Sequence, residues 1–412
     1  MAEGHANFRE TVRLMVVAGE ESGDAHAAAL VAALRDRAPE VNFEFFGSAG
    51  ARLREAGVEP VVREDDLAIT GLLEIGRALP RFVRAFRALV REAGRRRPAA
   101  AVLVDWPDFN LRLARALKRR GVKVVYYISP QLWAWRSHRV RQIRRDVDLL
   151  VAILPFEPEW YARRGFGRVE FVGHPLAGRA PALDGREEFL RLHGLDARAP
   201  LVALLPGSRR KEFERILPPM LDAAARVRGG REGAQFVVAL ADTRTREEAE
   251  RVIASHEDAS RAVRDGKLIV VRGETREALA ASDAAAVCSG TATLEAALAG
   301  TPLVVVYKES FVNWHTLGRL ITVEHYGLVN LVAGRRVATE LLQDDFTGET
   351  LARELLKLLD PTENARVRGE LREAVARLGD GGASARAADA VLRVVGREAA
   401  SAPPVNPPDD VI

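Results

Sequence analysis

Asp105 closes an apolar run of strand length, Ala101 to Val104, and opens the segment Asp105-Trp106-Pro107-Asp108-Phe109-Asn110. A carboxylate at a strand end beside an aromatic ring loses solvation, which raises its pKa and suits it to act as a general base on a sugar hydroxyl. Pro107 fits the first turn of a helix, so Asp105 could equally be a helix cap, and the residues alone leave the two readings level. Upstream, Gly19-Glu20-Glu21-Ser22-Gly23-Asp24 joins another apolar run to an Ala-rich helix. Its glycines let backbone approach a ligand, and its acids suit sugar hydroxyls better than phosphates. The GxGxxG dinucleotide spacing is absent, and a tight turn capped by Asp24 competes with a binding role.

Leu205-Pro206-Gly207-Ser208-Arg209-Arg210-Lys211-Glu212 has the opposite character. A glycine turn followed by cations suits a diphosphate, and cations at a helix N-terminus oppose its dipole unless an anion accompanies them. Cys288-Ser289-Gly290-Thr291-Ala292-Thr293-Leu294-Glu295 offers hydroxyls and N–H groups for a phosphate and an acid one turn later for a ribose. A plain cap would need only one hydroxyl, while Cys288 itself reads as a small buried apolar residue. Trp133-Ala134-Trp135-Arg136 reads either as core or as a ligand-stacking loop. The eight histidines show no HExxH spacing, and neither a DxD cluster nor GxSxG occurs, which disfavours a metal and a nucleophilic serine.

These segments need strands and helices to place them. Apolar runs at Leu14 to Ala18, Phe43 to Phe46, Ala101 to Val104, Val124 to Ile128, Leu149 to Leu154 and Val169 to Val172 form one series. A second contains Leu201 to Leu205, Phe236 to Leu240, Leu268 to Val271, Ala284 to Val287 and Leu303 to Val306. Runs apolar on both faces and separated by helical patterns are what parallel strands covered on both sides require, so the expected class is α/β with two doubly wound, Rossmann-like units. Ligands of such sheets sit beyond the carboxyl ends of the strands, where all four loops fall, and with two units the facing loops are expected to make a cleft. The expected boundaries are 1–185, 186–360, helices over 361–398 that pack back on the first unit, and a disordered tail 399–412 with four prolines.

The chain has 412 residues, 48% hydrophobic and 29% charged, enough for two to three domains. Lys and Arg total 61 against 57 Asp and Glu, a net charge of +4, which does not imply bulk nucleic-acid binding. One cysteine excludes an internal disulfide, the N-terminal stretch lacks an apolar signal run, and the longest uncharged stretches, such as Val124 to Trp135, run to about a dozen residues and fall short of the ~18 that span a bilayer. A cytoplasmic location is therefore expected. Between Leu72 and Arg97, Arg81, Arg84, Arg87, Arg91 and Arg95 recur at helical spacing among Phe82, Val83, Phe86, Leu89 and Val90. Such a helix either lies on anionic lipid or packs with a solvated basic face, and its residues alone favour the second.

Taken in order, AGEESGD, DWPDFN, YYISPQLWAWR, LPFE, VGHPL, LPGSRRKE and SGTATLE resemble the lipid A disaccharide synthase family, from about Met15 to Leu342. The resemblance implies a GT-B type, inverting, metal-independent glycosyltransferase with no cofactor. It would join UDP-2,3-diacylglucosamine to 2,3-diacylglucosamine 1-phosphate through a β-1,6 linkage and release UDP. It further implies Asp105 as the base, with Glu20, Ser22, Gly23, Asp24 and Asn110 on the substrate. Gly207, Ser208, Arg209, Arg210, Ser289, Gly290, Thr291 and Glu295 would hold UDP, completed by Asn330, Arg335 and Gln343.

Since both substrates are acylated, the resemblance turns the arginine helix into an expected contact with the inner membrane of a Gram-negative-type bacterium, through Phe82, Phe86, Leu89, Arg84 and Arg87. It also suggests a homodimer. The family often has Ala where Glu21 and Trp106 stand, and a Ser-Leu-Pro-Asn-like run where this chain has Gly327-Leu328-Val329-Asn330; losing that proline would loosen the loop carrying Asn330. The rival readings are a UDP-N-acetylglucosamine epimerase, the peptidoglycan N-acetylglucosaminyl transferase, and a non-catalytic nucleotide-sugar or lipid binder.

Overall fold

The computed structural model describes residues 11–63, 75–178, 185–310 and 323–397. The sequence readings at Leu72 and over the tail 399–412 lie outside them. The described chain divides into two units, Met1–Pro175 with Gly382–Ile412, and Leu176–Gly381.

The first unit is a parallel sheet of seven strands: β1 (Thr11–Val17), β2 (Asn42–Ala49), β3 (Glu59–Arg63), β4 (Ala100–Val104), β5 (Lys123–Tyr127), β6 (Leu149–Ala152) and β7 (Val169–Phe171). Their order is β3-β2-β1-β4-β5-β6-β7, so the chain reverses direction across the sheet between β1 and β4, the switch point at which ligands of such sheets bind. Alternate residues of β1 serve opposite faces. Leu14 and Val16 join one buried cluster with Leu30 and Leu34, while Met15 and Val17 join another with Leu89, Leu113 and Leu117. That is why these strands are continuously apolar.

The second unit repeats the plan with β8 (Leu201–Leu205), β9 (Gln235–Leu240), β10 (Leu268–Arg272), β11 (Ala284–Cys288), β12 (Leu303–Tyr307) and β13 (Thr339–Leu342), ordered β10-β9-β8-β11-β12-β13. Its switch point lies between β8 and β11, again where the loops of interest emerge.

Two strands have no counterpart in the sequence reading, β3 and β13, and both lie at sheet edges. Edge strands are short and tolerate Pro and charge, as Pro60, Glu59, Arg63 and Glu340 show, so the apolar signal is weak there. The segment 361–398 is divided between the units. The helix Pro361–Ala376 stays with the second, whereas Ala383–Val394 packs on the helix Glu21–Arg37 of the first. Ala387, Ala388, Val391 and Leu392 enter the first unit's core, and Arg37 pairs with Asp389 at 2.7 Å beside them. Among the described residues no helix is long and apolar enough to cross a membrane.

Candidate functional site

In the first unit the site is the corner after β4. Asp105 and Trp106 are both left-handed, with φ of +47° and +50°, a conformation that costs an L-residue on the order of 1–2 kcal/mol. Three hydrogen bonds hold it. The Asp105 N–H donates to the Tyr127 carbonyl at 3.0 Å, and the Asp105 carbonyl accepts from the Tyr126 hydroxyl at 2.6 Å and from Asn110 Nδ2 at 2.8 Å. The Asp105 side chain is thereby fixed at the sheet's carboxyl edge. Desolvation, reinforced by the negative charge of Glu20, pushes its carboxyl up to about 6, while a backbone N–H at Trp106 acts weakly in the opposite direction. A group titrating there is ionised near neutrality yet basic enough to take a hydroxyl proton in a transition state.

Trp106 covers the neighbouring loop. Its ring stacks on Phe109 with centroids 4.1 Å apart, and Phe82 and Phe86 extend the cluster. A methyl group at Gly19 would lie 2.1 Å from the indole, so glycine is required there for close approach. Glu20 and Ser22 are exposed beside this corner.

Several residue roles expected from the sequence change here. Asp24 is 3% exposed, and its carboxylate accepts the backbone N–H groups of Gly50, Arg52 and Leu53 at 2.7, 2.8 and 3.3 Å. It caps the short helix Ala51–Glu55 and is not placed to meet substrate. Asn110 is fully buried and donates to the Val104 and Asp105 carbonyls, so it positions the acid rather than the sugar. Gly23 is buried within the first turn of its helix. Leu89 has no exposed surface, and Phe82 and Phe86 pack on the core, so these three do not form a lipid-facing surface; the helical period groups them into one stripe, and that stripe turns inward. Leu79 and Val83 border that stripe by helical period but are exposed, at 61% and 38%, and Arg81, Arg84, Arg87 and Arg91 are exposed on the rest of the helix Ile75–Arg96.

In the second unit a cavity of about 510 Å³ opens at the carboxyl ends of β8, β9, β10 and β11. Gly207, Ser208, Ser289, Gly290, Thr291 and Glu295 line it, bringing together the two loops singled out from sequence. Gly207 has φ of +100°, and a methyl group there would stand 3.1 Å from Cys288 Sγ, so the turn fits only glycine. Cys288 is buried, and loss of solvation with Glu212 nearby pushes its thiol up to about 12, leaving it unreactive. Asp242, Gly273, Thr275, Arg276 and Glu277 also line the cavity and were not anticipated. Their signal was available, since they lie beyond the expected strands Phe236 to Leu240 and Leu268 to Val271.

Arg209 and Arg210 extend into solvent, with side chains 81% and 71% exposed, and pair with Glu212 and Glu214 at 2.9 and 2.8 Å. Their exposure leaves them accessible to an arriving anion. The Ser289 hydroxyl donates to the Tyr326 carbonyl at 2.7 Å, tying the loop after β11 to the next segment.

That segment corrects a further expectation. Asn330 is fully buried with its amide saturated: Nδ2 donates to Ala338 O and Glu340 Oε1, and Oδ1 accepts from the Val337 and Ala338 N–H groups, at 2.8 to 2.9 Å. The Glu340 carboxylate also accepts from the N–H groups of Tyr326 and Gly327. Asn330 therefore builds the loop and has no group left for a nucleotide. Arg335 pairs with Glu370 and Glu373 on its own surface, and the Gln343 amide pairs with the backbone of Glu309.

Comparison with known proteins gives these features a context. The family model described as lipid-A-disaccharide synthetase matches residues 14–394. A lipid-A-disaccharide synthase of Myxococcus xanthus is 44% identical over 384 residues, 93% of this chain and 97% of that one. Among solved structures, the S. aureus MnaA–UDP co-structure aligns with a TM-score of 0.63 at 12% identity over 94% of this chain and 98% of that one. CalG4, the calicheamicin glycosyltransferase, gives 0.55 at 17% identity over 94% and 98%. Likeness at such identity speaks for the fold alone, which is that of two Rossmann-like units of the GT-B type.

Proposed function

The chain belongs to the lipid-A-disaccharide synthase family and is a glycosyltransferase of lipid A synthesis; from that premise we propose that Asp105 is its catalytic base and the cavity of the second unit its UDP site. The donor is UDP-2,3-diacylglucosamine and the acceptor 2,3-diacylglucosamine 1-phosphate. The acceptor's 6-hydroxyl gives its proton to Asp105 as its oxygen bonds to the donor's anomeric carbon. The bond from that carbon to the diphosphate breaks with its electron pair leaving on UDP, which inverts the anomeric centre. Arg209, Arg210 and the N–H groups of the two glycine loops offset the negative charge that grows on the leaving diphosphate. Glu295, one helical turn beyond Thr291, takes the ribose hydroxyls.

The observation that carries this reading is the strained and triply hydrogen-bonded Asp105, raised to about 6 at the switch point of its sheet. A binder would have no use for a carboxylate held at such cost. The test is UDP release from UDP-2,3-diacylglucosamine in detergent and EDTA, with and without the acceptor. Release that needs the acceptor and resists EDTA is expected. Consumption of the donor without acceptor would overturn the transferase reading in favour of epimerase or hydrolase chemistry.

We place the peripheral membrane contact on the exposed side of Ile75–Arg96. There Leu79 and Val83 would enter the interface while Arg81, Arg84, Arg87 and Arg91 meet anionic headgroups of the inner membrane. Leu79→Ser with Val83→Ser is expected to cut co-sedimentation with anionic vesicles several-fold with little change in activity on detergent-dispersed substrate. Unchanged sedimentation would remove this face from consideration.

A further inference from the structure

The YYISPQLWAWR segment opens with Tyr126 and Tyr127, which hold the Asp105 backbone, but the mechanism above leaves the rest of it without a role, although it is firmly held. Trp133 is 7% exposed and donates from Nε1 to Glu157 at 3.2 Å, and the other oxygen of Glu157 accepts the Leu154 N–H at 3.1 Å. Phe156 meets the Trp133 ring edge-on, and the Tyr161 hydroxyl lies 2.9 Å from Ser129 Oγ. A loop fastened at both ends in this way fixes the residues at its exit. Those residues are Trp135, 40% exposed, and Arg136, left-handed with φ of +56°.

The Arg136 guanidinium lies 4.1 Å from the centroid of the Trp135 ring. Stacking engages the face of a guanidinium and leaves its N–H edges free to bind an anion in a fork. Those edges point at Asp108, with Arg136 Nη1 3.2 Å from Asp108 Oδ1 and Arg139 Nη2 2.6 Å from the same oxygen. Two guanidiniums thus converge on one carboxylate that is itself 60% exposed, which leaves a net positive charge at an accessible point. The place matters as much as the charge. Asp108 lies three residues beyond Asp105, in the first turn of the helix Pro107–Lys118 that leaves the Asp105 corner, where the Tyr126 hydroxyl donates to the Asp105 carbonyl.

In a glucosamine 1-phosphate the phosphate and the 6-hydroxyl flank the same ring oxygen. When the hydroxyl meets its base, the phosphate must therefore lie within one sugar's width of it. A phosphomonoester carries close to two negative charges and three acceptor oxygens, against one charge and two oxygens for Asp108, so it can engage both forks more strongly. We propose that Arg136 and Arg139 form the subsite that receives the acceptor's 1-phosphate, with Trp135 holding Arg136 in place and Asp108 keeping the pair convergent. The inference rests on the reading of Asp105 as the base that meets the acceptor hydroxyl.

The test compares two acceptors, 2,3-diacylglucosamine 1-phosphate and the same sugar with a free 1-hydroxyl, in the full-length protein. For Arg136→Gln with Arg139→Gln, the ratio of kcat/KM for the phosphorylated over the unphosphorylated acceptor is expected to fall about 10- to 100-fold, through KM, with UDP affinity retained. A loss shared equally by the two acceptors, or an unchanged ratio, would overturn the proposal. The unphosphorylated acceptor and UDP binding report that the variant is folded. Failure of the Asp105 reading shows separately, as undiminished turnover by Asp105→Asn with both arginines intact.

Discussion

Asp105→Asn is expected to lower kcat by about 10²- to 10⁴-fold while leaving UDP affinity within a few-fold of the parent, because the amide keeps the shape and loses the proton acceptor. In the parent enzyme kcat/KM should rise roughly tenfold per pH unit below pH 6 and level off above it, following ionisation of a carboxyl raised to about 6. The residual activity of the Asn variant should lack that limb. UDP release across pH 4.5 to 8 measures both, and an unchanged low-pH limb in the variant would transfer the titration to another group.

The same substitution carries a stability consequence of opposite sign. The carboxyl titrates near its ordinary 3.8 in the unfolded chain and at about 6 in the folded one, so between those values the folded state binds more protons. Stability contributed by this group is full below pH 4 and is lost as pH rises through 6, on the order of 2–3 kcal/mol. Asp105→Asn should therefore unfold at a higher temperature than the parent at pH 7.5 and show little difference at pH 4. A carboxylate held in the fold against its solvation preference costs stability in this way.

Asn330→Ala should produce the largest loss of stability among single substitutions at the second unit's site. It strips the side-chain partner from the buried Val337 and Ala338 N–H groups and from the Ala338 carbonyl, while Glu340 Oε1 loses one donor and keeps the Tyr326 and Gly327 N–H groups. At about 1–3 kcal/mol for each orphaned group, partly relieved by relaxation, the cost is about 3–5 kcal/mol. Thermal unfolding should move down by several degrees, while UDP affinity well below the transition stays within a few-fold. Glu295→Ala is the contrasting case, since Glu295 lines the cavity: UDP affinity should fall at least tenfold with a small change in the unfolding midpoint. If Asn330→Ala lost affinity without losing stability, the residue would touch the nucleotide after all.

Most of what positions the site is legible in the chain alone. Parallel strands covered on both faces must be apolar throughout, so their ends can be read from the residues, and the rule that ligands gather at those ends singles out Asp105, Gly207 and Ser289. Of the four edge strands, Val169–Phe171 and Leu268–Arg272 are legible, while two escape because an edge tolerates Pro and charge: Glu59–Arg63 begins Glu-Pro, and Thr339–Leu342 has four residues, one of them Glu340.

The roles of individual polar residues are a different matter. Asp24 resembles a ligand group because it stands in a glycine loop, but its oxygens are taken by N–H groups 26 to 29 residues away. The same holds for Asn330. Phe82, Phe86 and Leu89 share one stripe by helical period, yet period alone does not say whether a stripe meets a bilayer or a core. What the chain determined by itself was the alternation of elements, and with it the edge of each sheet where chemistry collects, because strand and helix periods are local properties of the backbone. What the tertiary structure decided was which polar groups remain free at that edge, because a hydrogen-bond donor or acceptor is satisfied by whatever backbone the fold brings to it, at any separation along the chain.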